Sequence, residues 1–168
     1  MIRPPAKAAQ EPTPVTARAA GRLPRIGRWR VLLAEDDYAM RELLASVLTA
    51  DGYEVIAASD GTELIRHLHE VATEPYGRES VAVVISDVRM PNFDGLDVLA
   101  ALRCAHWYTP VILITAFGDA ATHRDAHDFG AVAVLDKPFA LESLQNLVHQ
   151  IAPRPVPQPA RLVPDGRA

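Results

Sequence analysis

Five polar side chains in this sequence each follow a short apolar run, at the point where a buried strand would end. Three are carboxylates, one is a hydroxyl and one is an ammonium: Glu35, Asp36, Asp87, Thr115 and Lys137. Carboxylates that crowd together repel one another, and their pKa values rise unless a cation compensates them. A divalent ion such as Mg2+ relieves this repulsion, since it prefers oxygen ligands and often shares a phosphate. The set therefore favours chemistry on a phosphoryl group.

A carboxylate, a metal ion and a lysine together suit phosphoryl transfer. A carboxylate can act as a nucleophile and form an acyl phosphate, while the metal and the ammonium neutralise charge on the transferring group. Asp87 is the candidate nucleophile, because its strand is predicted to be central. Asp36 is the candidate direct metal ligand, and Glu35 binds the ion directly or through water. Thr115 offers a hydrogen bond, and Lys137 offers a compact positive charge to a phosphate oxygen.

Alternating strand and helix patterns must position these side chains. Apolar runs predict five strands, at residues 31–34, 54–57, 81–85, 111–114 and 131–135. Helical spacing of apolar residues follows each run, and the predicted helices begin after Asp37, after Ser59-Asp60-Gly61, at Gly95, near Asp119 and near Leu141. The second helix is broken by Pro75-Tyr76-Gly77, and the fourth, from about Asp119 to Phe129, is only weakly amphipathic.

Five strand–helix pairs in about 120 residues predict an α/β fold, with a parallel sheet covered by helices on both faces. Strand 2 contains Glu54 and is predicted to be an edge strand. The other four runs are continuously apolar, as is typical of central strands. Ligands bind such sheets outside the carboxyl ends of the strands, where the strand order switches. The five polar side chains are therefore predicted to converge at that edge.

Four motifs carry a resemblance to a known family. They are Val31-Leu32-Leu33-Ala34-Glu35-Asp36-Asp37, Ser86-Asp87-Val88-Arg89-Met90-Pro91 with Asp94-Gly95, Ile114-Thr115-Ala116 and Leu135-Asp136-Lys137-Pro138-Phe139. Each lies at the end of a predicted strand, and in this order they resemble the receiver domain of two-component response regulators over roughly residues 29–152. The resemblance implies a flavodoxin-like, doubly wound, five-stranded parallel sheet in the order 2-1-3-4-5.

The resemblance also implies roles for the acidic residues. Asp87 would be the phosphoacceptor, converted to aspartyl phosphate by a histidine kinase or a histidine phosphotransfer protein. Glu35 and Asp36 would form the acidic pair that binds Mg2+. The Asp87 carboxylate and the backbone carbonyl of Arg89 would complete the ligands that the protein supplies.

The remaining motif residues would bind the phosphoryl group and respond to it. Lys137 would contact the phosphoryl group, and it precedes Pro138 in a peptide bond that is often cis in this family. Thr115 would turn inward to the phosphoryl group and shift the loop after strand 4, as a two-state element biased by new charge. The signal would leave through a face built by the fourth predicted helix, strand 5 and the last helix.

Three positions are those where receivers usually control their switch and the hydrolysis of the phosphoryl group. Receivers usually have an aromatic switch residue three positions before the lysine, where this chain has Val134. A valine has no ring to move between inward and outward rotamers, so this chain departs from the usual coupling between the threonine and an aromatic residue. Arg89 and Phe117 occupy the positions that, in the family, face the phosphoryl group and tune its hydrolysis.

Charge is distributed unevenly along the chain, whose net charge is -4. Residues 1–30 have seven basic and one acidic residue, a net of +6, whereas residues 31–152 have seven basic and nineteen acidic residues, a net of -12. The last sixteen residues have three basic and one acidic residue, a net of +2. Both ends are rich in proline and are predicted to be disordered, as a basic tail over 1–28 and a tail over 153–168. The basic tail is either a solvated extension or an arginine-rich arm for an acidic partner or nucleic acid.

Composition restricts the compartment and the class of protein. No apolar run approaches the length of a membrane span, and the first residues lack the apolar core of a signal peptide. The single Cys104 excludes an intramolecular disulfide and suits a reducing compartment. These features predict a cytoplasmic protein, and the charge of the folded body argues against nucleic-acid binding.

The leading hypothesis is a single-domain response regulator that signals by protein–protein contact or serves as a phosphate sink or relay, with a homodimer left open. Only sixteen residues follow residue 152, so no output domain is expected there. One alternative is a receiver-like binding domain that works without phosphorylation. Another is a phosphatase with an aspartyl nucleophile, faintly suggested by Ser59-Asp60-Gly61-Thr62, although Ala58 occupies the position of that nucleophile.

Overall fold

The computed structural model describes residues 29–116 and 118–153. Its strands are β1 (Arg30–Ala34), β2 (Glu54–Ala58), β3 (Val81–Asp87), β4 (Val111–Thr115) and β5 (Ala133–Asp136). Its helices are α1 (Tyr38–Ala50), α2 (Gly61–Thr73), α3 (Gly77–Ser80), α4 (Gly95–Cys104), α5 (Ala120–Asp128) and α6 (Leu141–Ile151). Phe117 and the two predicted tails, except Pro153, lie outside the described residues.

The five strands form one parallel sheet in the order β2-β1-β3-β4-β5, which confirms the predicted fold. β2 is an edge strand, as the polar residue in it predicted. β5 is the other edge. Its apolar residues Ala133, Val134 and Leu135 are only partly buried, and Asp136 is exposed. β3 is buried along its whole length, so Asp87 ends the central strand.

Helices cover both faces of the sheet, because alternate strand residues point to opposite sides. On one face Leu32, Val84 and Leu113 share a hydrophobic cluster with residues of α2, α4 and α5. On the other face Leu33 and Ile85 share a second cluster with residues of α1 and α6. The sheet is thus held between two apolar layers, and its carboxyl edge is left to loops.

Aspartates fix where four of the helices begin. The side chains of Asp37, Asp60, Asp94 and Asp119 each accept a hydrogen bond from a backbone N–H in the first turn of α1, α2, α4 and α5 respectively. Such caps satisfy N–H groups that have no partner within the helix. Because each of these helices follows a strand, the caps also set the conformation of the loops at the carboxyl edge.

The first four strands are one or two residues longer than predicted, and two other differences have a local cause. The short helix α3 was not predicted, because a four-residue helix is too short to show an apolar period. β5 begins at Ala133 and not at Ala131, since the N–H of Ala131 donates to the carbonyl of Ala126 and closes the end of α5. β5 correspondingly ends one residue later than predicted, at Asp136.

The longest described helices, α1 and α2, have 13 residues each. None of the helices within the described ranges could therefore traverse a lipid bilayer.

Candidate functional site

The carboxyl ends of β1, β3 and β5 bring two carboxylates and one ammonium into direct contact. Ala34 pairs with Ser86 across the sheet, so the next residues on these strands, Glu35 and Asp87, are neighbours. Lys137 Nζ donates to Glu35 Oε1 at 2.9 Å and to Oε2 at 2.8 Å. It also donates to Asp87 Oδ2 at 2.5 Å. The predicted convergence of these three residues is confirmed by these contacts.

This cluster is largely removed from solvent. Glu35 is fully buried and Asp87 is 4% exposed, whereas the Lys137 side chain is 19% exposed. Burial raises the pKa of Glu35 and the negative charge of Asp87 adds to that rise, although the contact with Lys137 opposes it. Burial alone would lower the pKa of Lys137, but its hydrogen bonds to Asp87 and Glu35 leave that pKa above its usual value. The ammonium is therefore charged and compensates both carboxylates.

Both carboxylate oxygens of Asp87 have defined partners. Oδ2 accepts from Lys137, and Oδ1 accepts from the backbone N–H of Arg89 at 2.7 Å. The backbone oxygen of Asp87 accepts from Ser86 Oγ at 3.0 Å. The N–H of Val88 donates to the carbonyl of Ile114 at 2.7 Å, which ties the following loop to β4. The Asp87 side chain is thus fixed in orientation at the end of its strand.

Gly95 begins α4 directly behind Asp87 and leaves no room for a side chain. A Cβ there would press into the backbone oxygen of Asp87 and lie 3.1 Å from Leu113 Cδ2. Gly95 N–H also donates to the carbonyl of Val88 at 2.9 Å, so the loop cannot move aside freely.

We therefore expect Gly95→Ala to lower the free energy of unfolding by about 1–3 kcal/mol, measured by urea denaturation. Ala101→Ser, at an exposed position of the same helix, should stay within about 0.5 kcal/mol of wild type. Equal losses in the two variants would show that close packing against Asp87 is not the cause.

Asp36 completes a group of three acidic side chains. One ligand oxygen from each of Glu35, Asp36 and Asp87 lies within 4.8 Å of the others. Asp36 is exposed, in contrast to the two buried members. Oxygen donors at this spacing, two of them buried and one open to water, suit a hard divalent cation that keeps some of its own waters.

Arg41 also belongs to this region, and the sequence interpretation missed it. Its Nη1 donates to the backbone oxygen of Glu35 at 2.6 Å and lies 3.4 Å from the backbone oxygen of Asp36. The only available signal was its position one turn after the Asp37 cap, which describes any arginine at the start of a helix.

Thr115 and Lys137 are joined through the backbone. Thr115 is fully buried at the end of β4, and it pairs with Asp136 of β5. The N–H of Lys137 donates to the carbonyl of Thr115 at 2.7 Å. The Lys137–Pro138 peptide bond is cis, as the resemblance led us to expect. A shift of the Thr115 backbone would therefore act directly on the residue that contacts Asp87.

The three positions expected to tune the domain differ in burial, and the structure describes two of them. Val134 is partly buried against the cluster beneath α2, α4 and α5, and its register partner is Leu113. Arg89 is exposed, while Phe117 falls outside the described residues. A further contact was not anticipated: His123 Nε2 of α5 lies 3.0 Å from Asp136 Oδ1.

The motif Ser59-Asp60-Gly61-Thr62, which suggested a phosphatase, contains the N-cap of α2 in the structure. Asp60 accepts a hydrogen bond from the N–H of Glu63 at 2.8 Å and caps α2. Ala58, at the position of the missing nucleophile, is buried at the end of the edge strand β2.

Comparisons with known proteins agree with this geometry. The family model for the response regulator receiver domain matches residues 31–149. The response regulator protein FleR of Pseudomonas aeruginosa is 38% identical over 119 residues, which cover 71% of this chain and 24% of FleR. The transcriptional regulatory protein TcrA of Mycobacterium tuberculosis is 35% identical over 153 residues, which cover 88% of this chain and 57% of TcrA. The chain therefore spans about a quarter of the length of FleR and less than three fifths of the length of TcrA.

Solved structures show the same architecture. The chemotaxis protein CheY4 of Vibrio cholerae superposes with a TM-score of 0.64 at 27% identity, covering 74% of this chain and 98% of CheY4. A response regulator receiver domain protein from Clostridium thermocellum gives a TM-score of 0.65 at 28% identity, covering 73% of this chain and 93% of that protein. Together with the acidic cluster at the carboxyl edge of the sheet, these matches show that the chain belongs to the response regulator receiver domain family of two-component systems.

Proposed function

We propose that this receiver accepts a phosphoryl group on Asp87 in a Mg2+-dependent reaction. The observation that carries the proposal is the contact of Lys137 Nζ with both Glu35 and Asp87 at the carboxyl edge of the sheet. The donor would be the phosphohistidine of a histidine kinase or a histidine phosphotransfer protein, the donor class of this family. The family supports this general role, and the assignment to Asp87 rests on the geometry.

Glu35, Asp36 and Asp87 would hold the metal ion, with the backbone carbonyl of Arg89 as a further ligand. The fit rests on three carboxylate oxygens within 4.8 Å of one another and on the open side at Asp36. When bound, Mg2+ supplies positive charge that stabilises the phosphoryl group in transit. The chain supplies the same kind of charge through Lys137, whose ammonium contacts Glu35 and Asp87.

Transfer to Asp87 exchanges one bond for another. A carboxylate oxygen of Asp87 forms a bond to phosphorus while the N–P bond of the phosphohistidine breaks. The electron pair of that bond stays on the imidazole nitrogen of the donor. The N–H of Arg89 and the ammonium of Lys137 hold the attacking carboxylate in place. Lys137 can then move from the carboxylate to an oxygen of the transferred group, since its three protons can reorient.

The phosphorylated state would be read through protein contacts on the face formed by α5, β5 and α6. Thr115 would hydrogen-bond the phosphoryl group, and its backbone contact with Lys137 would carry the displacement toward β5.

We place the reaction in the cytoplasm, where the exposed free thiol of Cys104 stays reduced. We propose no enzymatic activity beyond phosphotransfer to Asp87 and its later hydrolysis. The lack of nucleic-acid binding stays a prediction.

A second candidate is a receiver-like binding domain that works without phosphate. The observation in its favour is Val134, which provides no ring at the position where receivers usually have an aromatic switch. The two candidates make opposite predictions for a simple labelling experiment. Wild-type protein is incubated with a small acyl-phosphate donor, with and without Mg2+, and its intact mass is measured. One added phosphoryl group that requires Mg2+ supports the first candidate, and no addition under conditions that label an ordinary receiver supports the second.

The raised pKa of Glu35 predicts how Mg2+ binding depends on pH. Because burial favours the protonated form of Glu35, protons compete with the metal at a higher pH than for an ordinary glutamate, whose pKa is 4.5. We expect the Kd for Mg2+, measured by calorimetric titration, to rise as pH falls, by at most about tenfold per pH unit for one competing proton.

Glu35→Gln is the matched variant for this pH dependence, since it has nearly the same shape and cannot take up the proton. It should bind Mg2+ more weakly at neutral pH and show a flatter pH profile. An unchanged slope in Glu35→Gln would assign the competing proton to another group.

A further inference from the structure

We propose that Arg41 is a positioning residue for the metal site, which holds the backbone of Glu35 and Asp36 so that their carboxylates face Asp87. This inference rests on the proposed function, because it assigns a residue to the same Mg2+ site. Its basis is that the Arg41 guanidinium contacts two consecutive backbone oxygens of the acidic pair and no carboxylate of it.

The acidic pair lies where the chain leaves the sheet and must turn into α1. Glu35 N–H still donates to the carbonyl of Ala58 at 3.2 Å, so this residue continues the ladder with β2. Its own carbonyl accepts from Arg41 Nη1 at 2.6 Å. Without this charged donor, the partly buried carbonyl of Glu35 would lose the hydrogen bond that offsets its removal from water. Arg41 therefore stabilises the conformation in which the backbone turns at Glu35.

Two further contacts hold Arg41 in position. Asp37 caps α1 by accepting from the N–H of Met40 at 2.7 Å, and its carbonyl accepts from the N–H of Arg41 at 2.9 Å. These bonds place Arg41 one turn into the helix. Its guanidinium carbon lies 5.5 Å from the centre of the Tyr38 ring, a cation–π arrangement that limits where the side chain can go.

Arg41 is not the counter-charge of the acidic cluster. Over residues 29–116 and 118–153, the salt bridges of Glu35 and Asp87 are made with Lys137, and Arg41 contacts main-chain oxygens. This distinction predicts the direction in which the Kd for Mg2+ changes when Arg41 is replaced. A positive charge near a metal site repels Mg2+, so its removal should tighten binding if charge were its main effect. Removal should weaken binding if the guanidinium positions the ligands.

The test is direct Mg2+ binding by isothermal titration calorimetry, with the thermal midpoint of each protein measured in the absence of metal. Arg41→Ala should raise the Kd for Mg2+ by at least about tenfold, the loss expected for one hydrogen bond from a charged donor. Arg41→Gln should lie between Arg41→Ala and wild type, because an amide can still donate to a carbonyl. Arg41→Lys, which keeps the charge but not the planar fork, should also be intermediate.

Arg66→Ala is the matched control. Arg66 lies on α2, where it forms exposed salt bridges with Glu63 and Glu70, so the variant removes the same charge away from the site. Its Kd should stay within about twofold of wild type, because exposed ion pairs contribute little. If Arg41→Ala cannot be purified in folded form, the Gln and Lys variants carry the test, since both retain a donor.

Each outcome decides one point. A Kd that rises in Arg41→Ala and is partly restored by Gln supports the inference. A Kd that falls would show a charge effect, and a lower thermal midpoint with unchanged Kd would show a structural role alone; both results overturn it. Wild-type protein that binds no Mg2+ would instead refute the metal site of the proposed function, and the positioning role with it.

Discussion

Asp87→Asn is expected to abolish phosphorylation of the protein by a small acyl phosphate in the presence of Mg2+. The amide of asparagine has nearly the same shape as the carboxylate but cannot act as the nucleophile, so labelling should slow by more than about a thousandfold. The amide oxygen can still accept from the N–H of Arg89, which keeps the loop in place. Intact mass should therefore show one phosphoryl group on wild type and none on the variant.

Asp94→Asn is the control for this experiment. Asp94 lies in the loop that follows Asp87, where its side chain caps α4 through a capping box with Asp97. Asparagine is nearly as good a cap as aspartate, so this variant should be labelled like wild type. A phosphoryl group that persists on Asp87→Asn and maps to Asp36 or Glu35 would show that another carboxylate is the acceptor.

Much of the fold was predictable because each strand is a short apolar run and most helices begin at an aspartate cap. β3, the central strand, reads as an unbroken apolar sequence that ends on Ser86 and Asp87. Parallel strands need helical connections, so the alternation of runs and caps leaves few other arrangements. β5 was placed one or two residues wrongly at each end, because the hydrogen bond that closes α5 at Ala131 is not visible in an apolar pattern.

The identity of the site residues was predictable for a related reason. Side chains that follow parallel strands meet at one edge of the sheet whatever their separation in sequence, and 102 residues separate Glu35 from Lys137. The pattern of contacts was not predictable. That one ammonium would contact both oxygens of Glu35 as well as Asp87 depends on side-chain directions, which spacing does not specify.

The contacts of Arg41 and His123 also could not be predicted from the sequence. An arginine in the first turn of a helix is commonly solvated, and only the structure shows that Arg41 reaches back to Glu35. His123 lies on a weakly amphipathic helix, yet its ring contacts Asp136, the residue before Lys137. Gly118 packs against both side chains, so that a Cβ there would lie 2.6 Å from His123 Nε2. The loop after β4 is thus connected to the end of β5 by contacts that do not involve Val134.

Lys137→Met is expected to cause the largest loss of stability among single substitutions in the site. The variant keeps an apolar stem of similar length but leaves the buried carboxylates of Glu35 and Asp87 without their shared cation. Removing one partner of a buried charge pair typically costs about 3–5 kcal/mol. Denaturation at neutral pH should show a loss of this order, and labelling by the acyl phosphate should also slow.

The sign of the pH dependence separates this explanation from a simple packing defect. Burial already raises the pKa of Glu35, and loss of Lys137 raises it further, since the opposing contact disappears. A raised carboxyl pKa in the folded state stabilises the protein below the ordinary value of 4.5 and this contribution is lost as pH rises through the raised pKa. The deficit of Lys137→Met relative to wild type should therefore be small at acid pH and grow toward neutral pH.

Two further measurements and one control can refute charge compensation as the cause. Lys137→Met combined with Glu35→Gln should recover much of the lost stability, because only one buried carboxylate then remains. Mg2+ should stabilise Lys137→Met more than wild type, because the ion replaces the missing positive charge. Arg66→Met, in an exposed ion pair on α2, should cost no more than about 1 kcal/mol at any pH. If the Lys137→Met deficit were independent of pH, of Glu35→Gln and of Mg2+, charge compensation between β1, β3 and β5 would not be what holds this site together.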